Sequence, residues 1–249
     1  MNCIQYADAR KMLEEDAVLA DSIRFYNSVK APYDSDEYLK AIDENCWVKM
    51  SEEEAIHSSA VAFFAAVRLY KELGVPVGVV NCTKGGTSVS AWLDIDTLKE
   101  SEDGRWYINY YDELVGGKSD EEYFKELDEY NNRLDEYLTN KANAEDKAGR
   151  KLSDGELNGL IGPYPWPEPY GYKSPYRPGG LSETMLKRVI SYTYKGVWYY
   201  QGEEDADRYP HYKSQFIRYI SFLRERNGKA DLPFIFMQLP VWIDRNLDN

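Results

Sequence analysis

The sequence predicts an α/β protein built on a parallel sheet covered by helices, on three observations. Residues 75–80, Val-Pro-Val-Gly-Val-Val, form a short run that is apolar on both sides. A strand apolar on both faces is buried on both faces, as happens in a parallel sheet lying under helices. The same grammar returns at residues 196–200 and again at 233–239. Helical segments alternate with these runs, which calls for right-handed crossovers between parallel strands.

Taken in chain order, residues 58–73 read as the first of these helices. Ser58 or Ser59 can cap it, Val61, Phe64, Ala65 and Leu69 recur at helical spacing, and Gly74 then Pro76 stop it. The strand at 75–80 comes next and ends in the glycine-bearing loop Asn81-Cys82-Thr83-Lys84-Gly85-Gly86-Thr87. Residues 101–160 read as a helical insertion, in which Tyr123, Leu127, Tyr130, Leu134 and Tyr137 mark an amphipathic stripe with an acidic outer face. Residues 163–180 hold six of the 11 prolines, interleaved with Tyr164, Trp166, Tyr170, Tyr172 and Tyr176. Proline at that density prevents regular structure, so the segment is a stiff loop, either a packed connection or an aromatic wall against which a sugar ring can stack. A helix at 183–192, the strand at 196–200, a helix marked by Tyr212, Phe216, Tyr219, Ile220 and Leu223, and the strand at 233–239 complete the pattern. The 249 residues are read as a single domain carrying the acidic insertion and the proline loop.

Composition removes several function classes. With 14% aromatic residues the chain carries too much buryable surface to be disordered. A formal net charge of −13, more than half of it contributed by residues 101–160, repels phosphate backbones and anionic lipid, so neither nucleic acid nor a membrane surface is an expected partner. No run of about 18 apolar residues is present to span a bilayer, and the first 13 residues lack the apolar core of a signal peptide. The chain as given therefore reads as cytoplasmic, with secretion or a periplasmic location open if an N-terminal segment lies upstream. Cys3, Cys46 and Cys82 have neither disulfide-framework nor metal-ligand spacing and read as buried reduced thiols. His57 and His211 are the only histidines, too few for a multi-histidine metal site, and no cofactor is expected.

In a parallel α/β sheet, ligands bind beyond the carboxyl ends of the strands. Two strand ends carry unusual polar or glycine residues: Lys84-Gly85-Gly86-Thr87, and Gln201-Gly202-Glu203-Glu204-Asp205. Glycine lets backbone N–H groups approach a ligand, and Gln201 offers a side-chain amide. The two together can form an oxyanion hole, each donor being worth roughly 3 kcal/mol in a transition state. Three other readings stay open. A double glycine after a strand is also an ordinary turn. Glu203 with Asp205 or Asp207 offers paired carboxylates for glycoside hydrolysis, although acidic residues at a helix start also complement its dipole. Ser88 or Ser90 with His211 and Asp207 offers an internal triad.

These residues carry a resemblance. The run 74–80, then Gly85-Gly86-Thr87 and Ala91-Trp92, resembles the second conserved block of the sialate O-acetylesterase family, a branch of the SGNH hydrolases. Leu181 and then Lys195-Gly196-Val197-Trp198-Tyr199-Tyr200-Gln201-Gly202-Glu203-Glu204 resemble the block that reads Lys-Gly-Val-x-Trp-Tyr-Gln-Gly-Glu-Ser, and Leu232-Pro233-Phe234 with Gln238-Leu239-Pro240 is similar to the strand after that block. Trp47 and Ser58-Ser59-Ala60-Val61 also fit. The resemblance implies a three-layer α/β/α sandwich of flavodoxin-like type and metal-free removal of O-acetyl groups from sugars such as sialic acid, by a serine, a histidine base and an aspartate. It assigns the oxyanion hole to Gly86 (or Gly85) and Gln201, and the substrate pocket to Gly85, Thr87, Trp92, Gly202 and Glu203.

The family's Gly-Gln-Ser-Asn-Met nucleophile block has no counterpart here, and residues 1–7 resemble the stretch immediately downstream of that block. Its Asp-x-x-His block is likewise not reached by Asn249, and neither His57 nor His211 sits in such a block. The expectation is a piece of an acetylesterase that holds part of the oxyanion hole and the substrate walls, marginal in stability by itself because sheet edges lie open. The alternative is a non-catalytic carbohydrate-binding or interaction module derived from that fold.

Overall fold

A computed structural model of the chain describes Lys11, Glu14 and residues 17–51 and 58–239. Cys3, His57, the start at 1–7 and Pro240 onward lie outside the described residues. Helix α1 (Ala17–Ser22) leads into β1 (Ile23–Asn27), whose Ile23 and Phe25 point inward and are fully buried. After α2 (Asp36–Glu44) comes β2 (Val48–Lys49), paired antiparallel with β1. Helix α3 (Ala60–Leu73) then carries the chain to β3 (Val77–Asn81), which pairs parallel with β1 from Ile23↔Val77 to Asn27↔Asn81. β1, which the sequence pattern did not reveal, is therefore the central strand of this three-stranded sheet.

α3 is stopped and started as its sequence dictates. The Ser59 hydroxyl accepts from the Ala62 amide, and Gly74 closes the helix at φ +67°, a left-handed conformation suited to glycine. Its buried face differs from the expected stripe: Ala60, Phe63, Ala66 and Val67 face inward, whereas Leu69 is substantially exposed. The helix is apolar on most sides, so periodicity alone does not fix its rotation. The small Ala60 and Ala66 let it approach the sheet, and Phe63 and Val67 pack with Phe25, Met50 and Val79. Burying each large side chain contributes about 1.5–3 kcal/mol.

A long helical segment separates β3 from the next strand: α4 (Ile95–Lys99), α5 (Glu102–Val115), α6 (Asp120–Ala148) and α7 (Asp154–Ile161). α6 buries Tyr123 and Tyr130 of the expected stripe, and a reciprocal cap between Ser119 and Glu122 starts it. A π-helical turn (Ser182–Leu186) runs into α8 (Lys187–Val189). β4 (Val197–Tyr199), α9 (Tyr209–Arg226) and β5 (Phe234–Phe236) make a strand–helix–strand unit with parallel pairing from Val197↔Phe234 to Tyr199↔Phe236.

The protein is thus mixed α/β and mostly helical. The expected single parallel sheet differs from what the described strands form, which is a three-stranded sheet with one antiparallel edge and a separate two-stranded sheet. The expectation that the apolar strands are covered on both faces also fails at β5, where Ile235 and Phe236 are 58% and 59% exposed. Among the described residues β4 is the only strand paired with β5, so the other edge of β5 has no strand beside it there. A second core of Leu93, Leu98, Tyr107, Leu181, Met185 and Phe222 lies between the helical segment and α9. Cys82 is partly buried but Cys46 is exposed, against the expectation of buried thiols, because Cys46 lies between α2 and β2 rather than under a helix. No helix among the described residues is long and apolar enough to cross a membrane.

Candidate functional site

The loop that leaves β3 turns on Gly86 at φ +71°, and the Gly86 amide donates no hydrogen bond to any described residue. Thr87 fixes the turn from inside, donating its hydroxyl to the Lys84 carbonyl at 2.8 Å and accepting from the Trp92 indole at 3.0 Å. Both side chains are buried, so in this geometry Thr87 and Trp92 hold the loop rather than face open space. Ser88 then caps a short 3-10 turn (Val89–Trp92), its hydroxyl oxygen accepting from the Ser90 amide at 3.2 Å.

At the tip of β4 stands Gln201. Its amide nitrogen donates to the Thr87 carbonyl at 3.1 Å and to Asp205 Oδ2 at 2.5 Å, while its carbonyl accepts from Tyr199 at 2.8 Å and Tyr212 at 3.1 Å. Gly202 is next at φ +141°, buried against Leu239, and opens the 3-10 turn Glu203–Arg208 that carries Asp205. The β3 and β4 tips, though their strands do not pair, therefore meet at one place: Gln201 against Thr87, one residue beyond Gly86.

Asp205, 1% exposed, is the hub of that meeting. Its Oδ1 accepts from the Ser88 hydroxyl at 2.7 Å and the Tyr107 hydroxyl at 2.8 Å; its Oδ2 accepts from the Val89 amide at 2.8 Å and from Gln201. Four donors match the acceptor capacity of one carboxylate, and Asp205 makes no ion pair among the described residues. Burial first, and the negative Asp205 second, push the Tyr107 hydroxyl well above the ordinary tyrosine value, and burial does the same to Tyr199. Both stay protonated donors. The Ser90 hydroxyl lies 3.1 Å from that of Ser88.

Two further walls enclose the area. The proline loop sets Trp166 and Tyr176, packed edge to face at 6.0 Å, against Gly86: a Cβ there would lie 3.0 Å from Trp166 Cη2 and 3.6 Å from Tyr176 Cε1. Behind Ser88 and Ser90, tyrosines of α5 and the Glu204–Arg208 pair close a pocket of about 20 Å³, room for one water molecule. On the other side of the proline loop, Pro167–Tyr170 face α6 across an open cleft of about 350 Å³ lined also by Lys118, Glu126, Glu129 and Arg133.

Gly85, Gly86, Thr87, Gln201 and Gly202 are thus brought together, whereas Glu203 and Asp207 are exposed. The internal triad is not assembled. His211 Nδ1 bonds Asp103 Oδ1 at 2.8 Å and its ring stacks on Trp106 at 4.0 Å, while Ser88 turns to Asp205. Of the carboxylate pairs read for glycoside hydrolysis, Glu203 with Asp205 does not line a cleft, since Asp205 is buried among its donors. Burial pushes the Cys82 thiol up to about 12, which leaves it a poor nucleophile at neutral pH. Among the described residues no group of three His, Cys, Asp or Glu side chains could hold a metal ion. Asp205 and Tyr107 escaped the sequence reading as parts of one network, because three of the four donors to Asp205 lie 98 to 117 residues away and no local pattern joins them.

Residues 176–247 match the family described as carbohydrate esterase, sialic acid-specific acetylesterase. The resemblance drawn from the block around Gln201 is borne out over that segment. The chain is also similar in fold to a carbohydrate acetylesterase from Xanthomonas citri, with a TM-score of 0.52 and 20% identity over 96% of this chain. It spans 38% of that protein's length. No curated protein matches the chain.

Proposed function

We propose that this chain, which resembles the sialic acid-specific acetylesterases over residues 176–247, carries the acyl-binding and substrate-orienting part of a carbohydrate acetylesterase. The observation that carries the reading is the meeting of the two strand tips, with the Gln201 amide 3.1 Å from the Thr87 carbonyl beside the Gly86 turn. In this reading the two parallel pairs belong to a three-layer α/β/α arrangement of the SGNH type, and the substrate is an acetylated carbohydrate.

The serine hydroxyl and its histidine base come from outside the described residues. The hydroxyl attacks the acetyl carbonyl, passes its proton through the base to the departing sugar oxygen, and leaves an acetyl ester that water then cleaves. As the carbonyl oxygen becomes an oxyanion, the Gly86 amide and the Gln201 amide donate to it. Both Gln201 hydrogens are engaged at rest, so the longer bond, to Thr87, is the one exchanged for the oxyanion. The short bond to Asp205 is kept and fixes the amide in place.

The test is Gln201→Ala in the full-length protein, assayed on 4-nitrophenyl acetate and on O-acetylated sugars. Loss of one oxyanion donor lowers kcat roughly 10²–10³-fold with KM changed little. An unchanged kcat would contradict the assignment. One observation favours a second reading, a non-catalytic carbohydrate-binding module: the Gln201 amide has no free hydrogen at rest. Calorimetric binding of acetylated sugar by the full-length protein without any acetate release distinguishes it.

A further inference from the structure

We propose that His211 is a positioning residue for the esterase reaction: it fixes α5 against the segment that carries Asp205, and so sets where Asp205 holds the Gln201 amide. The inference rests on the reading of Gln201 as a donor to the acyl oxygen. Four side chains stack in sequence. The His211 ring lies on Trp106 at 4.0 Å and 17°, Trp106 lies on Tyr110 at 5.0 Å and 7°, and the Arg208 guanidinium stands 5.1 Å over the Tyr110 ring. Trp106 and Tyr110 belong to α5, whereas Arg208 and His211 lie where the 3-10 turn Glu203–Arg208 runs into α9. The two segments are thus held together at two points one helical turn apart, by a ring stack and by a cation–π contact.

A second set of bonds reaches the start of α5 from the same end of α9. Asp103 Oδ1 accepts from His211 Nδ1 at 2.8 Å, and Oδ2 accepts from the Ser214 hydroxyl. The Gln215 amide donates to Ser101, the cap of α5, at 3.0 Å. Hydrogen bonds from Ser214 and then His211 hold the Asp103 carboxyl below the usual carboxylate range, so it is a charged acceptor at neutral pH. His211 belongs to both sets. Beside it, its ring edge to face with His211 at 6.5 Å, stands Tyr107, whose hydroxyl donates to Asp205 at 2.8 Å. From Asp205 the path runs on to the Gln201 amide at 2.5 Å. Among the described residues the His211 ring bonds Asp103 and not Gln201, so any influence on the amide passes through a neighbour.

The experiment is a double-mutant cycle on kcat for 4-nitrophenyl acetate in the full-length protein. His211→Ala, Tyr107→Phe and the pair are each assayed well below their melting temperatures. Residues in one network couple rather than add. His211→Ala therefore lowers kcat roughly three- to tenfold with KM unchanged, because the Gln201 bond to the oxyanion is made only in the transition state. In the Tyr107→Phe background the same substitution lowers kcat by less than about twofold more. A merely structural role lowers the melting temperature and leaves the kcat of the folded protein alone. His211→Gln loses the ring stack but can still donate to Asp103. It gives a smaller loss with the same dependence on Tyr107, and it carries the test should His211→Ala fail to fold. A wild-type kcat in the folded variants overturns the inference. So does an equal loss with and without the Tyr107 hydroxyl, which would mean transmission through the adjacent Tyr212, a donor to Gln201 Oε1 at 3.1 Å. In either case the esterase reading stands while Gln201→Ala still lowers kcat. Absence of hydrolysis by the full-length protein overturns both.

Discussion

Replacing Asp205 by alanine withdraws the acceptor that four donors share, three of them buried. The Ser88 and Tyr107 hydroxyls can rotate toward other acceptors, and Gln201 keeps its bond to Thr87. The Val89 amide cannot re-aim, because the backbone fixes it. Each buried donor left unsatisfied costs about 1–3 kcal/mol. Release of the carboxylate's own desolvation penalty offsets part of this. The net expectation is a loss of about 3 kcal/mol, and for a chain of 249 residues that lowers Tm by roughly 6–12 °C. Calorimetric melting of wild type and Asp205→Ala measures it. Asp205→Asn separates charge from hydrogen bonding: its remaining oxygen can face the Val89 and Gln201 amides while its NH2 faces the Ser88 and Tyr107 hydroxyls, which can rotate to accept. That variant therefore melts above Asp205→Ala and keeps Gln201 in place. An Asp205→Ala protein that melts within about 2 °C of wild type would refute the claim that this carboxylate ties the strand tips together.

Two other expectations rest on the same geometry. Tyr107 and Tyr199 have folded values raised above the ordinary 10.0 by burial, so the stability they contribute is complete below pH 10 and is lost as the pH rises beyond it. Tyrosinate absorbance during alkaline titration thus rises in two stages, exposed rings first and these with unfolding; a single stage completed in the folded protein, with far-ultraviolet circular dichroism retained, contradicts the buried network. Gly104 lets α5 begin hard against α4, since a Cβ there would fall 2.0 Å from the Leu98 carbonyl oxygen. Gly104→Ala forces backbone apart at the element that carries Tyr107, and is expected to cost about 3 kcal/mol in urea unfolding, whereas a neutral substitution would mean that the α4–α5 packing is looser than described.

The parts of the site that lie within a few residues of one another were legible in the sequence. Glycine after an apolar run announced both strand tips, and the caps at Ser59 and Gly74 bounded α3, because each rests on local backbone chemistry. β1 was not legible: Ile-Arg-Phe-Tyr-Asn is a short segment with Arg24 near its middle, and it becomes a strand through pairing with β3, 54 residues on. The rotation of α3 escaped for a related reason, since the sheet rather than the periodicity chose the face. His211 shows the same limit. Its place at the start of α9 could be read, but its stacking on Trp106 and its bond to Asp103 depend on how α5 packs across α9. Asp205 looked like an acidic residue complementing a helix start. Only the convergence of two distant segments, at 88–89 and at Tyr107, with the nearby Gln201 on its two oxygens gives it a different role.

The most direct test of the account is a crystal structure of the full-length protein with an acetyl-ester transition-state analogue, such as a methylphosphonate, bound at the site. The predicted result is one phosphonate oxygen within about 2.7–3.1 Å of both the Gly86 amide nitrogen and Gln201 Nε2, with the Gln201–Thr87 bond opened and the Gln201–Asp205 bond retained. An oxygen held elsewhere, with Gln201 still bonded to Thr87, would contradict it.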